Sequence, residues 1–191
     1  PAVLTLLKLD PAVNDALSLN LLTPVSQILK IISDFGDLPL LLKLMGLSPI
    51  CDIELENVFK KIRAHILFNL SEIVITDSII NFQIALALQC FTNEYVYDQT
   101  QKESSAVKVL ESSIENAISK KKLPTELALL CLASYTDLSR YDWVDSIIFS
   151  DKLIEFKQRV IDEPREEDRL KRDIPILKTI TDKVSSKVAG Q

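Results

Sequence analysis

Apolar residues recur three and four positions apart along almost the whole chain, with polar residues filling the intervals. That spacing is the 3.6-residue period of an α-helix with one buried stripe. Pro11 after Asp10 and Pro24 after Thr23 each read as a capping residue followed by proline at the first helical position. From Pro24 the stripe runs through Val25, Ile28, Leu29 and Ile32 and stops near Gly36. Asp37 is placed to cap a short helix from Leu38 to Met45 that ends at Gly46. Both glycines read as residues just past a helix end, in the left-handed conformation. Asp52 opens a helix over residues 53 to 70, with Leu55, Phe59, Ile62 and Ile66 inward. Glu54, Glu56, Lys60, Lys61 and Arg63 then face water, and Glu56 with Lys60 forms an i,i+4 pair.

The pattern from Asp77 to Gln99 differs, because Ile79, Ile80, Phe82, Ile84, Leu86, Leu88, Cys90 and Phe91 go round the whole circumference. A helix apolar on every side must be covered on every side, so this is the expected central helix. Val107, Leu110, Ile114 and Ile118 mark a helix over residues 103 to 119. Pro124 restarts a largely buried one, and Ser150 caps another that carries Leu153, Phe156 and Val160. A solvated helix begins near Pro164, and a last one follows Pro175 with Leu177, Ile180, Val184 and Val188 in register. Ile73-Val74-Ile75-Thr76 is the nearest thing to a strand and is short and unpaired. The expectation is an all-α protein of about ten short antiparallel helices, arranged as an irregular bundle or a short α-solenoid of helical hairpins. Residues 1–191 read as a single helical domain, with a possible sub-boundary at 46–52.

Composition narrows the function classes. Only three of the 191 residues are glycine. Phosphate-cradling loops and nucleotide-binding turns need a backbone that tolerates positive φ, so a dinucleotide fold or P-loop is not expected. A net charge of -5 lacks the basic footprint of a nucleic-acid binder. The one basic run, Lys120-Lys121-Lys122, falls between helices and reads as a solvated turn. Cys51, Cys90 and Cys131 are far apart in sequence, and an odd count without a secretory signal argues for free thiols and a cytoplasmic location. The longest apolar stretch, Ile79 to Phe91, is too short and too polar to cross a bilayer, so no membrane partner is expected. The sole methionine is Met45, and the expectation is a piece of a longer chain whose catalytic domain follows residue 191.

Candidate chemistry is sparse. His65 is the only histidine and has no carboxylate one helical turn away, so no metal site and no catalytic set is expected around it. Glu54 with Glu56, and Glu163, Glu166, Glu167 with Asp168, lie on polar helix faces and read as solvated charge. Polar and aromatic types mix on a buried helix in one place, Gln89 to Tyr97. There Asn93 and Glu94 either fix how the helix docks or line a groove for a partner.

That segment, Gln89-Cys90-Phe91-Thr92-Asn93-Glu94-Tyr95-Val96-Tyr97, resembles a QCFxNEYVF signature. The signature belongs to the helical, tetratricopeptide-like N-terminal region of bacterial S-adenosylmethionine-dependent methyltransferases. Asp52-Ile53-Glu54-Leu55-Glu56 followed by Ile62 to Leu67 is similar to an upstream DxELExxLxxxRxxLL pattern of that family. Glu163 to Glu167, Ile174-Pro175 and Asp182 to Val188 resemble the segment leading into its catalytic domain. The likeness implies a methyltransferase context in which S-adenosylmethionine belongs to a following domain and this chain holds no cofactor and no catalytic residue.

Two readings follow. In the first, the chain is a non-catalytic helical accessory or protein-interaction domain attached to such a methyltransferase. It would meet its own catalytic domain or a protein substrate through Asn93, Glu94, Tyr95, Tyr97, Tyr141 and Trp143. In the second, it is a stand-alone all-α enzyme or apolar-ligand carrier. Its pocket would be floored by Ile84, Leu88 and Leu130, with His65 or Cys90 at the mouth.

Overall fold

The computed structural model describes residues 2–19 and 23–173. The helix expected after Pro175 lies outside them. The chain is all-α, with no strand among the described residues. Helices α1 (Ala2–Leu7), α2 (Pro11–Leu17), α3 (Val25–Gly36) and α4 (Pro39–Leu47) precede two longer ones, α5 (Ile53–Asn69) and α6 (Asp77–Thr92). Then come α7 (Gln101–Ser119) and α8 (Glu126–Ala133). Three 3₁₀ turns follow, at Leu138–Arg140, Asp142–Ser146 and Asp151–Leu153. The last turn leads into α9 (Ile154–Lys157), a π-helical turn (Gln158–Asp162) and α10 (Glu163–Asp173) as one continuous helical run. Among the described residues no helix is long and apolar enough to cross a membrane.

Local chemistry sets most of the helix starts. Asp10 accepts from the Ala12 N–H at 2.9 Å, and Asp52 accepts from Glu54 and Leu55 at 3.2 Å each. Thr100 and Glu103 form a reciprocal capping box at the head of α7. At α4 the expectation misses, because Leu38 precedes Pro39 at the helix start without any side-chain cap. Asp37 is instead the last residue of α3's exit and accepts the Ser78 hydroxyl at 2.8 Å.

Helix α6 is central, but its side bearing Ile84 and Leu88 is only partly covered, short of the all-round burial expected. It packs most extensively on α3 and α4 and then on α8, and Ile79, Ile80, Phe82, Ala85, Leu86, Ala87 and Cys90 are all buried. The buried apolar side chains form one contiguous cluster from Leu7 to Ile161. Gln89, wholly buried on α6, closes the C-terminal end of α4. With the amide oriented as its neighbours require, its nitrogen donates to the Met45 and Ser48 carbonyls at 3.1 and 3.2 Å, and its oxygen accepts from the Ile50 N–H at 3.0 Å. An apolar residue there would leave those backbone groups dry and unpaired.

The glycines act differently from the sequence expectation. Neither has positive φ; both sit inside the last turn of right-handed helix. Gly36 is required by proximity, since a Cβ there would lie 1.9 Å from the Ser78 carbonyl oxygen. Absence of a side chain lets the end of α3 touch the first turn of α6. The left-handed positions fall on Glu94, Tyr95 and Lys121. Lys121 closes α7 in a Schellman turn, with Lys121 N–H on Ile118 at 2.8 Å and Lys122 N–H on Ala117 at 2.9 Å.

Candidate functional site

Helix α6 ends at Thr92, seven residues before the expected Gln99, and that early exit decides the fate of the mixed segment. The Glu94 N–H bonds Phe91 at 3.0 Å and the Tyr95 N–H bonds Cys90 at 2.8 Å, a Schellman closure with both residues at φ 57°. Two successive left-handed residues reverse the chain and carry Tyr97 inward, where it is only 5% exposed. Asn93 and Tyr95 are half-buried and Glu94 is exposed. Burial raises the Tyr95 hydroxyl above the usual phenol range, helped by the negative Asp137 nearby. Asn93 lies beside the Tyr97 hydroxyl, but neither its Oδ1 nor that hydroxyl completes a well-formed hydrogen bond. Tyr141 and Trp143 are brought together, their rings stacked with centroids 4.8 Å apart, and both are half-buried. Arg165 of α10 fastens that turn by donating to the Ser139 and Tyr141 carbonyls at 2.9 and 2.8 Å and to Asp145. Of the six residues named from sequence, then, Glu94 alone is fully exposed, and Tyr97 belongs to the interior.

Tyr97 packs against a residue that sequence reasoning placed in solvent. Arg63 is 1% exposed. Its guanidinium lies 4.2 Å from the Tyr135 ring centre and 5.6 Å from that of Tyr97. It donates to the Asp98 carbonyl at 2.9 Å and stands 3.8 Å from Glu103 Oε1. The buried Glu103 carboxylate also accepts from the Thr100 N–H and hydroxyl and from the Tyr135 hydroxyl, at 2.9, 2.8 and 3.0 Å. Beside this cluster Gln83 donates to the Ser134 hydroxyl at 2.9 Å. Cys90 and Cys131 are buried too, and burial pushes both thiols up to about 12 despite the nearby Arg63. Thiols so far from ionisation are poor nucleophiles. The cluster is charge-balanced and closed to solvent; it ties α5, α7 and α8 together. One signal could have found it: Arg63 is four residues after Phe59 and three before Ile66, on the buried stripe itself.

His65 is half-buried, and its Nε2 is enclosed without a hydrogen-bond partner. Burial holds its pKa below the ordinary 6.5. It lines a cleft with Ile28, Phe68 and Thr100. Among the described residues no group of three or more His, Cys, Asp or Glu side chains is placed to hold a metal ion.

A different groove is the better candidate. It lies between α4, α6 and residues 152–159 and has a volume of about 330 Å³. Leu42, Ile84, Leu88 and Phe156 form its apolar lining, while Lys43, Asn81, Lys152, Glu155 and Arg159 supply the polar rim. Arg159 stands in the π-helical turn and donates to the Gly46 carbonyl at 2.6 Å, which neutralises the exposed carbonyl end of α4. Lys152 pairs with Asp77 across the opposite end. The pocket expected from sequence is not assembled as drawn. Ile84 and Leu88 line this groove, but Leu130 is wholly buried on α8, His65 belongs to the other cleft and Cys90 is inside the core. Helical periodicity gives the face of a residue, not which neighbouring helix covers it.

No protein-family model matches the chain, and comparison with curated proteins and with solved structures returns no match.

Proposed function

We propose that this chain is a non-catalytic helical interaction domain that holds a segment of another protein or domain in the α4–α6–α9 groove. The observation that carries the reading is the contrast between interior and groove. Arg63, Glu103 and Gln89 turn most of their polar groups to partners inside the fold, whereas the groove presents apolar side chains and several charged heads to the outside. An open apolar floor with a charged rim is the form that receives a helix or extended segment. Leu47 on its edge is 61% exposed, which folding alone does not require. The methyltransferase context is part of the proposal and stands on the resemblance of Asp52–Glu56, Gln89–Tyr97 and Glu163–Glu167. In that context the domain helps recognise a substrate or docks the catalytic unit, and S-adenosylmethionine stays with the catalytic unit.

The test has two arms. Calorimetric titration of the chain with the catalytic domain of such a methyltransferase, or with its protein substrate, should give a saturable complex that Leu47→Glu weakens. Equilibrium dialysis of the chain alone with radiolabelled S-adenosylmethionine should give no retention. Stoichiometric cofactor binding by these residues, or a complex indifferent to Leu47→Glu, overturns the reading.

A further inference from the structure

We infer that the groove selects an acidic amphipathic helix: a partner segment with an apolar stripe flanked by Asp and Glu. The inference rests on the groove being an interaction site, and it adds the chemistry of what enters. The argument is charge. The whole chain carries -5, so a random patch of its surface is expected to be acidic. The groove reverses that sign, with Lys43, Lys152 and Arg159 against the single carboxylate Glu155 among its lining residues. Two of these cations stand outside any ion pair, and with Glu155 and Asp77 counted the groove remains net positive. Lys152 is neutralised by Asp77, but no ion pair within the described residues involves Lys43 or Arg159. Arg159 spends one N–H on a backbone carbonyl, which leaves its charge unanswered by any carboxylate. It is half-buried, where an unmatched cation interacts more strongly with an incoming anion than it would in open water.

The geometry suits a helix rather than a flat surface. The apolar lining comes from successive turns on one face of α6, Ile84 and Leu88, and from Leu42 on α4, with Phe156 closing the far side. Those rows form a trough between helices, the arrangement that takes anchors at i, i+3 and i+4 of a third helix. Lys43 stands on α4, and Arg159 reaches from the π-helical turn to the carbonyl end of the same helix, so both unpaired cations lie along the α4 side. Carboxylates on the flank of the incoming stripe that faces α4 therefore meet both cations. Opposite-charge rims raise association rates and reject the wrong partner more than they add affinity.

Fluorescence anisotropy tests this with three labelled helical peptides. One has a Leu/Phe stripe and Glu flanks. The second keeps the stripe but has Lys flanks. The third keeps Glu flanks and has Ser in place of the stripe. The Glu-flanked amphipathic peptide should bind at least about tenfold more tightly than the Lys-flanked one. The Ser peptide should not bind. Lys43→Glu, at an exposed position, should weaken the Glu-flanked peptide by about threefold to tenfold and narrow the gap between the two amphipathic peptides. Raised salt should reduce the same preference.

The outcomes separate the two claims. If both amphipathic peptides bind equally and both lose affinity on Leu47→Glu, the groove is an interaction site and the acidic preference is wrong. If binding ignores Leu47→Glu and Lys43→Glu alike, the groove is not the site and both claims fall. No peptide binding at millimolar concentration, or stoichiometric binding of a simple alkyl carboxylate such as dodecanoate instead, overturns the helix proposal.

Discussion

Replacing Gly36 with alanine tests the packing of the whole molecule at one carbon atom. The new Cβ would lie 1.9 Å from the Ser78 carbonyl oxygen, 2.4 Å from its carbon and 2.7 Å from its Cα. Ordinary contact begins near 3.4 Å, so α3 and α6 must part by about 1.5 Å at this point, and the obstacle is backbone that no rotamer change can move. A gap of even about 0.5–1 Å forfeits a quarter to a half of the dispersion energy across a contact. This contact is the most extensive between helices among the described residues and includes the Phe35–Phe82 ring pair at 5.6 Å. Parting it also stretches the bond from Ser78 to Asp37. Overpacking of this kind costs about 1–3 kcal/mol, and the severity of the clash places Gly36→Ala near the top of that range. The gain in helix propensity, about 0.5–1 kcal/mol, offsets part of it. A net loss of about 2 kcal/mol should lower Tm by about 4–8 °C. Gly46→Ala is the internal control. Its Cβ would meet Leu88 at 3.5 Å and Arg159 at 3.8 Å, both ordinary distances, in the same right-handed helical conformation. It should raise stability by about 0.5–1 kcal/mol. Urea denaturation of both variants against wild type gives the two signs. Equal effects, or a Gly36→Ala variant as stable as the parent, would refute the claim that proximity and not backbone conformation demands glycine at residue 36.

Further outcomes follow from the interior. Arg63→Met strands the buried Glu103 carboxylate without its cation and should cost about 3–5 kcal/mol. Adding Glu103→Gln should recover a sizeable part, and a double-mutant cycle showing simple additivity would contradict the coupling. A thiol-reactive aromatic disulfide should label Cys51 promptly in the native protein, and Cys90 and Cys131 only after denaturant is added. His65 should titrate by NMR below 6.5, because burial disfavours its cation. The unfolded chain then takes up that proton first, so this contribution to stability is complete above pH 6.5 and declines as pH falls from there toward the folded-state value. His65→Gln should flatten that part of the pH–stability profile, and an unchanged slope would remove His65 as its cause.

The helices were largely legible in the residues. Asp10 and Asp52 cap the helices they were expected to cap, and the stripe Leu55, Phe59, Ile62 and Ile66 is buried throughout. The all-round apolar helix is central. Two capping expectations miss locally, since α3 starts at Val25 with Pro24 in the capping position and Ser150 makes no side-chain cap bond. The other misses share one form. Asp37 looked like a cap for the next helix and serves Ser78 on a distant one. Lys60 was expected to pair with Glu56, four residues away, and instead pairs with Asp98 at 2.7 Å. Tyr97 looked like a surface residue and is buried in the core, while Tyr95 is half-buried and Val96 exposed, because α6 ends early on two left-handed residues that are not glycine.

Periodicity, capping and the scarcity of glycine act over four or five neighbouring residues, and those sufficed for an all-α chain with its main apolar stripes assigned. Whether a polar group is buried is settled by groups brought from far along the chain. Arg63 goes inside because Asp98, Glu103 and Tyr135 meet it there, and Gly36 is needed because Ser78 arrives 42 positions later. The groove likewise exists only where residues of α4 and α6 come to face Phe156 and Arg159. Local free energies of a few tenths of a kcal/mol choose helix over coil. Long-range contacts worth several choose which side of each helix the protein hides.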